Sequence, residues 1–240
     1  MTKYLISGAG GSLARTLLET IYNKDDFFYL LYNKKKPNFL KKNKNIIFLK
    51  FDFSNSSKIK SFLSKKFKSK KNNIDVLINC AGSASPHKKF NTLDYKEINQ
   101  IYNINLITPL LMFNFFINKY KKQKDKIMKI INISTTSKGS LYSSHYSHSK
   151  KSLDYYCHKL AESFSKDGIL INTVSPGFLD NDMHKNVKFY DKENFHKQTI
   201  PNYLKKRGKN KDIVSVINFL ISSENNYING TIYEVDGGSK

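Results

Sequence analysis

Residues 3–22 read KYLISGAGGSLARTLLETIY, and three kinds of local order follow one another within them. Lys3–Ser7 is a short β-rich run, Gly8, Gly10 and Gly11 make a turn of small residues, and Leu13–Tyr22 has the length of a helix. Strand, glycine turn and helix in that order open a βα unit. Small residues let the backbone turn tightly and approach a pyrophosphate, whose charge then meets the helix N-terminus. Gly8, Gly10, Gly11, Ser12 and Leu13 are therefore candidate cofactor-binding positions. An ordinary tight βα turn has a similar composition, so the remainder of the chain has to separate the two readings.

Short β-rich runs and helix-length segments alternate along the rest of the chain. The strand candidates are Lys3–Ser7, Phe28–Tyr32, Ile46–Phe51, Ile74–Cys80, Lys129–Ser134, Leu170–Ser175 and Thr231–Val235. Several are continuous apolar runs, such as DVLINC at 75–80 and KIINIS at 129–134. Strands covered by helices on both faces have that composition. Between them lie Leu13–Tyr22, Ser56–Phe67, Tyr95–Tyr120, Tyr146–Phe164 and Lys211–Ser222. The repeated βαβ order predicts an α/β fold, a Rossmann-like doubly wound parallel sheet of seven strands with helices on both faces. NKKKPNFLKKNKN at 33–45 reads as a lysine-rich loop and KKFKSKKNN at 65–73 as a solvated helix end. Neither is a linker, so residues 1–240 are expected to form a single dinucleotide-binding and catalytic domain. In such a sheet ligands bind beyond the carboxyl ends of the strands.

The 240 residues are 39% hydrophobic and 13% aromatic, enough to bury one substantial core. No run of eighteen or more apolar residues occurs, and MTKYLISGAGG lacks the apolar stretch of a signal peptide. Cys80 and Cys157 are the two cysteines, each inside a hydrophobic segment, which points to a reduced cytoplasmic protein without membrane attachment. The formal charge of +22 raises the question of nucleic acid. Arg15 and Arg207 are the only arginines, and the lysines are spread along the whole chain, so a specific nucleic-acid partner is not expected.

The end of the second strand bears on the cofactor. An NAD site usually places Asp or Glu about twenty residues after the glycines, on the ribose hydroxyls. Residues 27–51 contain no carboxylate, and YNKKK puts Asn33, Lys34, Lys35 and Lys36 at that point. Lysines there neutralise a 2′-phosphate, which favours NADP(H) over NAD(H).

Further along, motifs accumulate in a recognisable order: FDFS at 51–54, NCAG at 79–82, YNINLITP at 102–109, IINISTTS at 130–137, YSHSK at 146–150, INTVSPGFLDNDM at 171–183 and SSENNYINGTIYEVDGG at 222–238. Together with the glycine turn they resemble the short-chain dehydrogenase/reductase family over essentially the whole chain. The turn departs from the family pattern at its second and third glycines, where Ser12 and Ala14 stand. The resemblance implies that Asp52 contacts the adenine amino group with Phe53 beside the ring, and that Asn79, Ala81 and Gly82 line the adenine-ribose side. It maps the active-site asparagine onto Asn105 and the serine that orients the substrate carbonyl onto Thr135, with Ser134 adjacent. It makes Tyr146 and Lys150 the tyrosine and lysine of the family's catalytic motif. Pro176 and Gly177 fall in the segment beside the nicotinamide, Asn181 takes the place of a threonine that holds the carboxamide, and Asn229 replaces another threonine near the C-terminus.

Residues four apart on a helix share a face, so Tyr146 and Lys150 are expected to point together into the cleft. A tyrosine phenol near pKa 10 exchanges its proton poorly at neutral pH, and a fixed ammonium beside it is expected to lower that value. The implied activity is NAD(P)-dependent interconversion of a carbonyl and an alcohol: hydride passes between nicotinamide and carbon while Tyr146 moves the proton. Thr135 or Ser134 orients the oxygen, Lys150 also holds the nicotinamide ribose, and Asn105 helps fix a proton-relay water.

Other readings of residues 145–150 are weaker. His145 and His148 lack the acidic partners of a metal site and read as surface residues, no metal is expected, and a Ser–His hydrolase requires a nucleophile elbow that the sequence lacks. Ser147 and Ser149 read as small spacers, and Tyr155, Tyr156 and Cys157 as packing against the sheet or a neighbouring subunit. A 3-oxoacyl-carrier-protein reductase and a cofactor-binding relative with weak turnover are the alternatives. A nucleotide-sugar dehydratase or epimerase, which would use the same Tyr and Lys, usually carries a separate substrate domain for which the chain is short. The substrate is a small-molecule or carrier-linked carbonyl or alcohol, shaped by residues 180–201 and the loop SASPHKKF at 83–90. The resemblance implies a homotetramer or homodimer paired through Tyr95–Tyr120 and Tyr146–Phe164.

Overall fold

A computed structural model describes residues 1–38, 43–68, 73–84, 94–120, 126–137, 144–180 and 202–239. Seven strands, β1 (Lys3–Ser7), β2 (Phe27–Tyr32), β3 (Ile46–Lys50), β4 (Val76–Asn79), β5 (Met128–Ile133), β6 (Ile169–Pro176) and β7 (Ile232–Val235), form one sheet in the order β3-β2-β1-β4-β5-β6-β7. Every pairing is parallel. The expected strands are all present, and their ends shift by one to two residues.

Alternation along the central strands builds two cores. Ile6, Leu30, Ile78 and Ile131 face one side, where α1 (Ser12–Ile21) and α6 (Asn210–Ile221) bury Leu17, Leu18, Ile213 and Ile217 against them. Their neighbours Leu5, Leu31, Leu77 and Ile130 face the other side. That face is covered by α2 (Ile59–Lys66), α4 (Thr108–Lys119) and α5 (Ser144–Phe164), and α3 (Tyr95–Tyr102) packs on α5. The period of two in the strands and the stripes on the helices thus put apolar side chains on both faces of the sheet.

The expected single helix over Tyr95–Tyr120 is interrupted by a π-helical turn at Asn103–Ile107, where the Thr108 N–H bonds the Asn103 carbonyl. Pro109 explains the widening: without an N–H it gives the Asn105 carbonyl no i+4 donor. By length and composition Tyr95–Lys119 passes for a membrane span. Met112, Phe113, Phe116 and Ile117 are nevertheless buried against the sheet, as in a core helix.

Strand order reverses between β1 and β4, so a crevice lies at their carboxyl ends. The glycine turn closes one wall. Gly8 takes φ +65°, and a Cβ there would stand 2.7 Å from the Ala81 nitrogen and the Cys80 carbonyl. A Cβ on Gly10 would sit 2.1 Å from the Lys35 carbonyl oxygen, so the loop after β2 packs directly on this turn. Gly10→Ala forces the two segments apart and is expected to cost about 2 kcal/mol or more of unfolding free energy. The urea midpoint reads this directly, and an unchanged midpoint contradicts the packing.

Candidate active site

The glycine turn presents the start of α1 to the crevice. Gly11 caps the helix without a side-chain hydrogen bond, and the first turn carries no acidic residue. Its N–H groups therefore face the crevice available to an anion, and the turn is closed from within by the Gly11 N–H on the Gly8 carbonyl at 2.9 Å. Ala14, at the family's third glycine, is buried against the sheet, where a small residue lets helix and strands approach.

Several expected adenine-side residues have a different role. Phe53 does not line the crevice: its ring is buried in the core, edge-on to Phe51 at 5.7 Å, and its carbonyl accepts from Thr108 Oγ1. Asn79 also points inward, since at the last position of β4 its side chain shares the face of Leu77. Asp52 stays exposed and accepts hydrogen bonds from Ser54 and, at 3.2 Å, from Asn33. Lys34, Lys35 and Lys36 are exposed beside it, with the Lys36 ammonium 4.5 Å from the centroid of the Phe48 ring. Pro176 and Gly177 are fixed by backbone bonds from Thr136 and to Val235. Asn181 and most of 180–201 and 83–90 lie outside the described residues.

The catalytic candidates converge where α5 meets the end of β5. Tyr146 stands beside Thr135, close enough for the Thr135 hydroxyl to act on the phenol. Ser134, the adjacent candidate, is committed elsewhere: its hydroxyl donates to Asp154 at 2.7 Å. Lys150, one turn along from Tyr146, is buried and donates to the Ile133 carbonyl at 2.8 Å and the Ala81 carbonyl at 3.4 Å. Gly82 makes room for it, since a Cβ there would come within 3.0 Å of Nζ. Asn105, carried inward on the π turn, pairs both ways with the Ser83 backbone and donates to Ser149 Oγ at 3.1 Å. Ser149 is thus a tie between two helices and not a spacer, and it donates in turn to the Tyr146 carbonyl.

Two further expectations are corrected. Burial pushes the Tyr146 phenol up to about 12, while the nearby Thr135 hydroxyl pulls it down; the charge of Lys150 does not set its value. The ammonium is turned to carbonyl oxygens, and desolvation brings Lys150 itself down to about 8. The histidines are not both superficial: His145 is buried, whereas exposed His148 shares a 2.7 Å hydrogen bond with the Tyr102 hydroxyl. Of the residues expected to pack on the sheet or a neighbouring subunit, Cys157 packs on the sheet, and Tyr155 and Tyr156 are exposed on the single chain.

One set of polar residues had no signature in the sequence. Ser7, Asn79, Asn132 and Thr173 occupy matching registers on four adjacent strands, all on the face covered by α5. Ser7 donates to Asn79 at 2.7 Å, Asn79 to Asn132 at 3.1 Å, and Asn132 to Asp154 at 3.2 Å. Their shared level becomes visible only when the strand registers are known, although the polar ends of SGAGG, LINC and INIS were the available signal.

A sheet of this order, with a glycine turn at its switch point and a Tyr–Lys pair beside it, defines a dinucleotide-dependent oxidoreductase. The family model described as enoyl-(acyl carrier protein) reductase matches residues 28–240. The chain belongs to the short-chain dehydrogenase/reductase family, and it is an oxidoreductase that interconverts a carbonyl and an alcohol by hydride exchange with a nicotinamide dinucleotide. It is 32% identical over 197 residues to the 3-oxoacyl-(acyl-carrier-protein) reductase of Buchnera aphidicola subsp. Schizaphis graminum, covering 80% of this chain and 75% of that one. It is 27% identical over 176 residues to the L-rhamnose 1-dehydrogenase (NADP(+)) of Thermoplasma acidophilum, covering 69% and 65%. A solved 4-hydroxyisoleucine dehydrogenase complexed with NADH shares the fold, with a TM-score of 0.87 at 24% identity over 99% of this chain and 98% of that one.

The burial of Lys150 has a measurable consequence. Below pH 8 it is protonated whether the chain is folded or not, and its fall from 10.5 to about 8 marks a burial cost of roughly 3 kcal/mol. Between those values the unfolded chain binds more protons, so stability rises with pH as the cost is relieved. Lys150→Met has no such proton. The parent is expected to gain on this variant by up to roughly 3 kcal/mol between pH 8 and 10.5 in urea titrations. A difference that does not change with pH contradicts the assignment.

Proposed function

We propose that the chain reduces a carbonyl with NADP(H), with Tyr146 giving the proton and Thr135 orienting the oxygen. The placement of Tyr146 beside the Thr135 hydroxyl, one turn along α5 from buried Lys150, carries this reading. When bound, the dinucleotide supplies the hydride. Thr135 donates to the carbonyl oxygen and aims it at Tyr146; as negative charge grows there, the oxygen becomes more basic than a phenolate and takes the Tyr146 proton. A phenol held at about 12 keeps its proton at neutral pH, so Tyr146 has a proton to give. Lys150 would hold the nicotinamide ribose, and the amide of Asn105 stiffens the wall formed by Ser83. Gly8, Gly10, Gly11, Ser12 and Leu13 would seat the pyrophosphate, and Asp52 the adenine edge.

Preference for the 2′-phosphate is supported by exposed Lys34 and by Asn33, which is hydrogen-bonded to the one nearby carboxylate, Asp52. The names of the relatives pull both ways, one with NADP(+) and one with NADH. A 3-oxoacyl thioester is the second substrate reading, supported by the Buchnera reductase. Pairing of copies through α3–α5 is supported by exposed Tyr95, Ile98, Leu111 and Tyr155, and a reducing compartment by the free thiols of Cys80 and Cys157.

The test is a panel of 3-oxoacyl thioesters, small ketones and aldoses, assayed with NADPH and NADH in parallel. NADPH is expected to be preferred, and Lys34→Glu to cut that preference several-fold. Tyr146→Phe should lose about a hundredfold or more of turnover while NADP+ binding persists. Equal loss of turnover and binding makes Tyr146 structural, and silence across the panel overturns the reading.

A further inference from the structure

The contact between α5 and the end of β5 extends one turn beyond the catalytic candidates. Tyr146, Lys150 and Asp154 lie on one helix face, four residues apart. They meet Thr135, the Ile133 carbonyl, and the pair Ser134 and Asn132, respectively. Asp154 is 3% exposed, a place where an apolar side chain would pack at lower cost. Burial raises its carboxyl, and the hydrogen bond from Ser134 and the charges of Lys151 and Lys150 oppose that rise.

Two features show what the carboxylate is fitted to. The first is a row of hydrogen bonds pointing one way. The Ala81 N–H donates to Ser7, Ser7 to Asn79, Asn79 to Asn132, and Asn132 to Asp154, so each donor is aimed along the row towards the carboxylate. Such a chain is polarised by an anion at its end. It begins at the residue whose carbonyl accepts from Lys150, so the lysine and the carboxylate close one loop across β1, β4 and β5. The second feature is charge. The titratable groups acting on Lys150 are Asp154 and Cys157 on α5 and Cys80 after β4. Burial raises both thiols, Cys80 to about 12, so the carboxyl of the set is Asp154, one helical turn from Lys150 and 3.7 Å from the Lys151 ammonium.

We propose that Asp154 is a positioning residue: it holds the register of α5 on β5 through Ser134 and Asn132, and serves as the counter-charge of Lys150 beneath the cleft. The register function keeps Thr135, the residue after Ser134, in reach of Tyr146. The charge function keeps Lys150 a cation at the pH where it would grip a ribose. This rests on the functional reading above only for its effect on turnover, so the test has one arm that needs no substrate.

In that arm the Lys150 side chain is titrated by NMR in the parent and in Asp154→Asn. The variant keeps the shape and a hydrogen-bond acceptor but loses the charge, and the midpoint of Lys150 is expected to fall by about half a pH unit or more. An unmoved midpoint overturns the charge function, since a merely structural residue would leave it in place. The second arm measures kcat/KM against pH. Asp154→Asn is expected to carry the alkaline limb to lower pH by a similar amount. Ser134→Ala, which leaves the carboxylate, is expected to keep the limb where it is but lower kcat/KM several-fold, and a value within twofold of the parent overturns the register function. Should the parent turn over no carbonyl, the functional reading fails while the lysine titration still decides the charge function. Should Asp154→Asn not fold, Asp154→Ser and Ser134→Ala carry the same two measurements.

Discussion

The Lys150 ammonium is buried against two backbone carbonyls, with one carboxylate, Asp154, a helical turn away. A buried cation is tolerated only where oxygen atoms are fixed around it, and that condition constrains much of the neighbouring structure. Gly82 has to be glycine-sized, the Ile133 carbonyl has to lie at the strand end, and α5 has to sit at one register. Tyr146 and Thr135 meet because that register is held. Their pairing follows from the same fit between helix and strand.

The crevice owes its other wall to topology. Reversal of strand order between β1 and β4 leaves the ends of both strands open, and the glycine turn fills that opening with backbone in place of side chain. The approach of Gly10 to Lys35 ties the turn to the loop after β2, so the glycine turn and the lysines at 34–36 form one packed unit. The charge of +22 is spread along the whole chain, and Lys34, Lys35 and Lys36 are exposed at the end of β2.

Much of this was legible in the residues alone. Largely apolar runs marked the strands, because central strands covered on both faces bury most of their side chains. Tyr146 and Lys150 were legible because helical spacing is a local property. What could not be read is pairwise and distant. Asp154 reaches Ser134 across twenty positions, and Asn105 reaches Ser149 across forty-four. Ser149 looked like a spacer because Asn105, which donates to it, is far away in sequence. Phe53 looked like an adenine neighbour because motif position does not reveal which way a ring turns after a strand. The value of the Tyr146 phenol was misjudged for a related reason: proximity to lysine along a helix does not state where its ammonium points, and burial outweighed it.

The central claim is that a buried Lys150 and the glycine turn form one nicotinamide-dinucleotide site. Calorimetric titration of the purified chain with NADP+ across a pH series tests it most directly. The account predicts one site per chain, with affinity that holds below pH 8 and weakens above it as Lys150, at about 8, gives up its charge. No heat of binding at millimolar nucleotide, or an affinity that stays constant through pH 8, would contradict it.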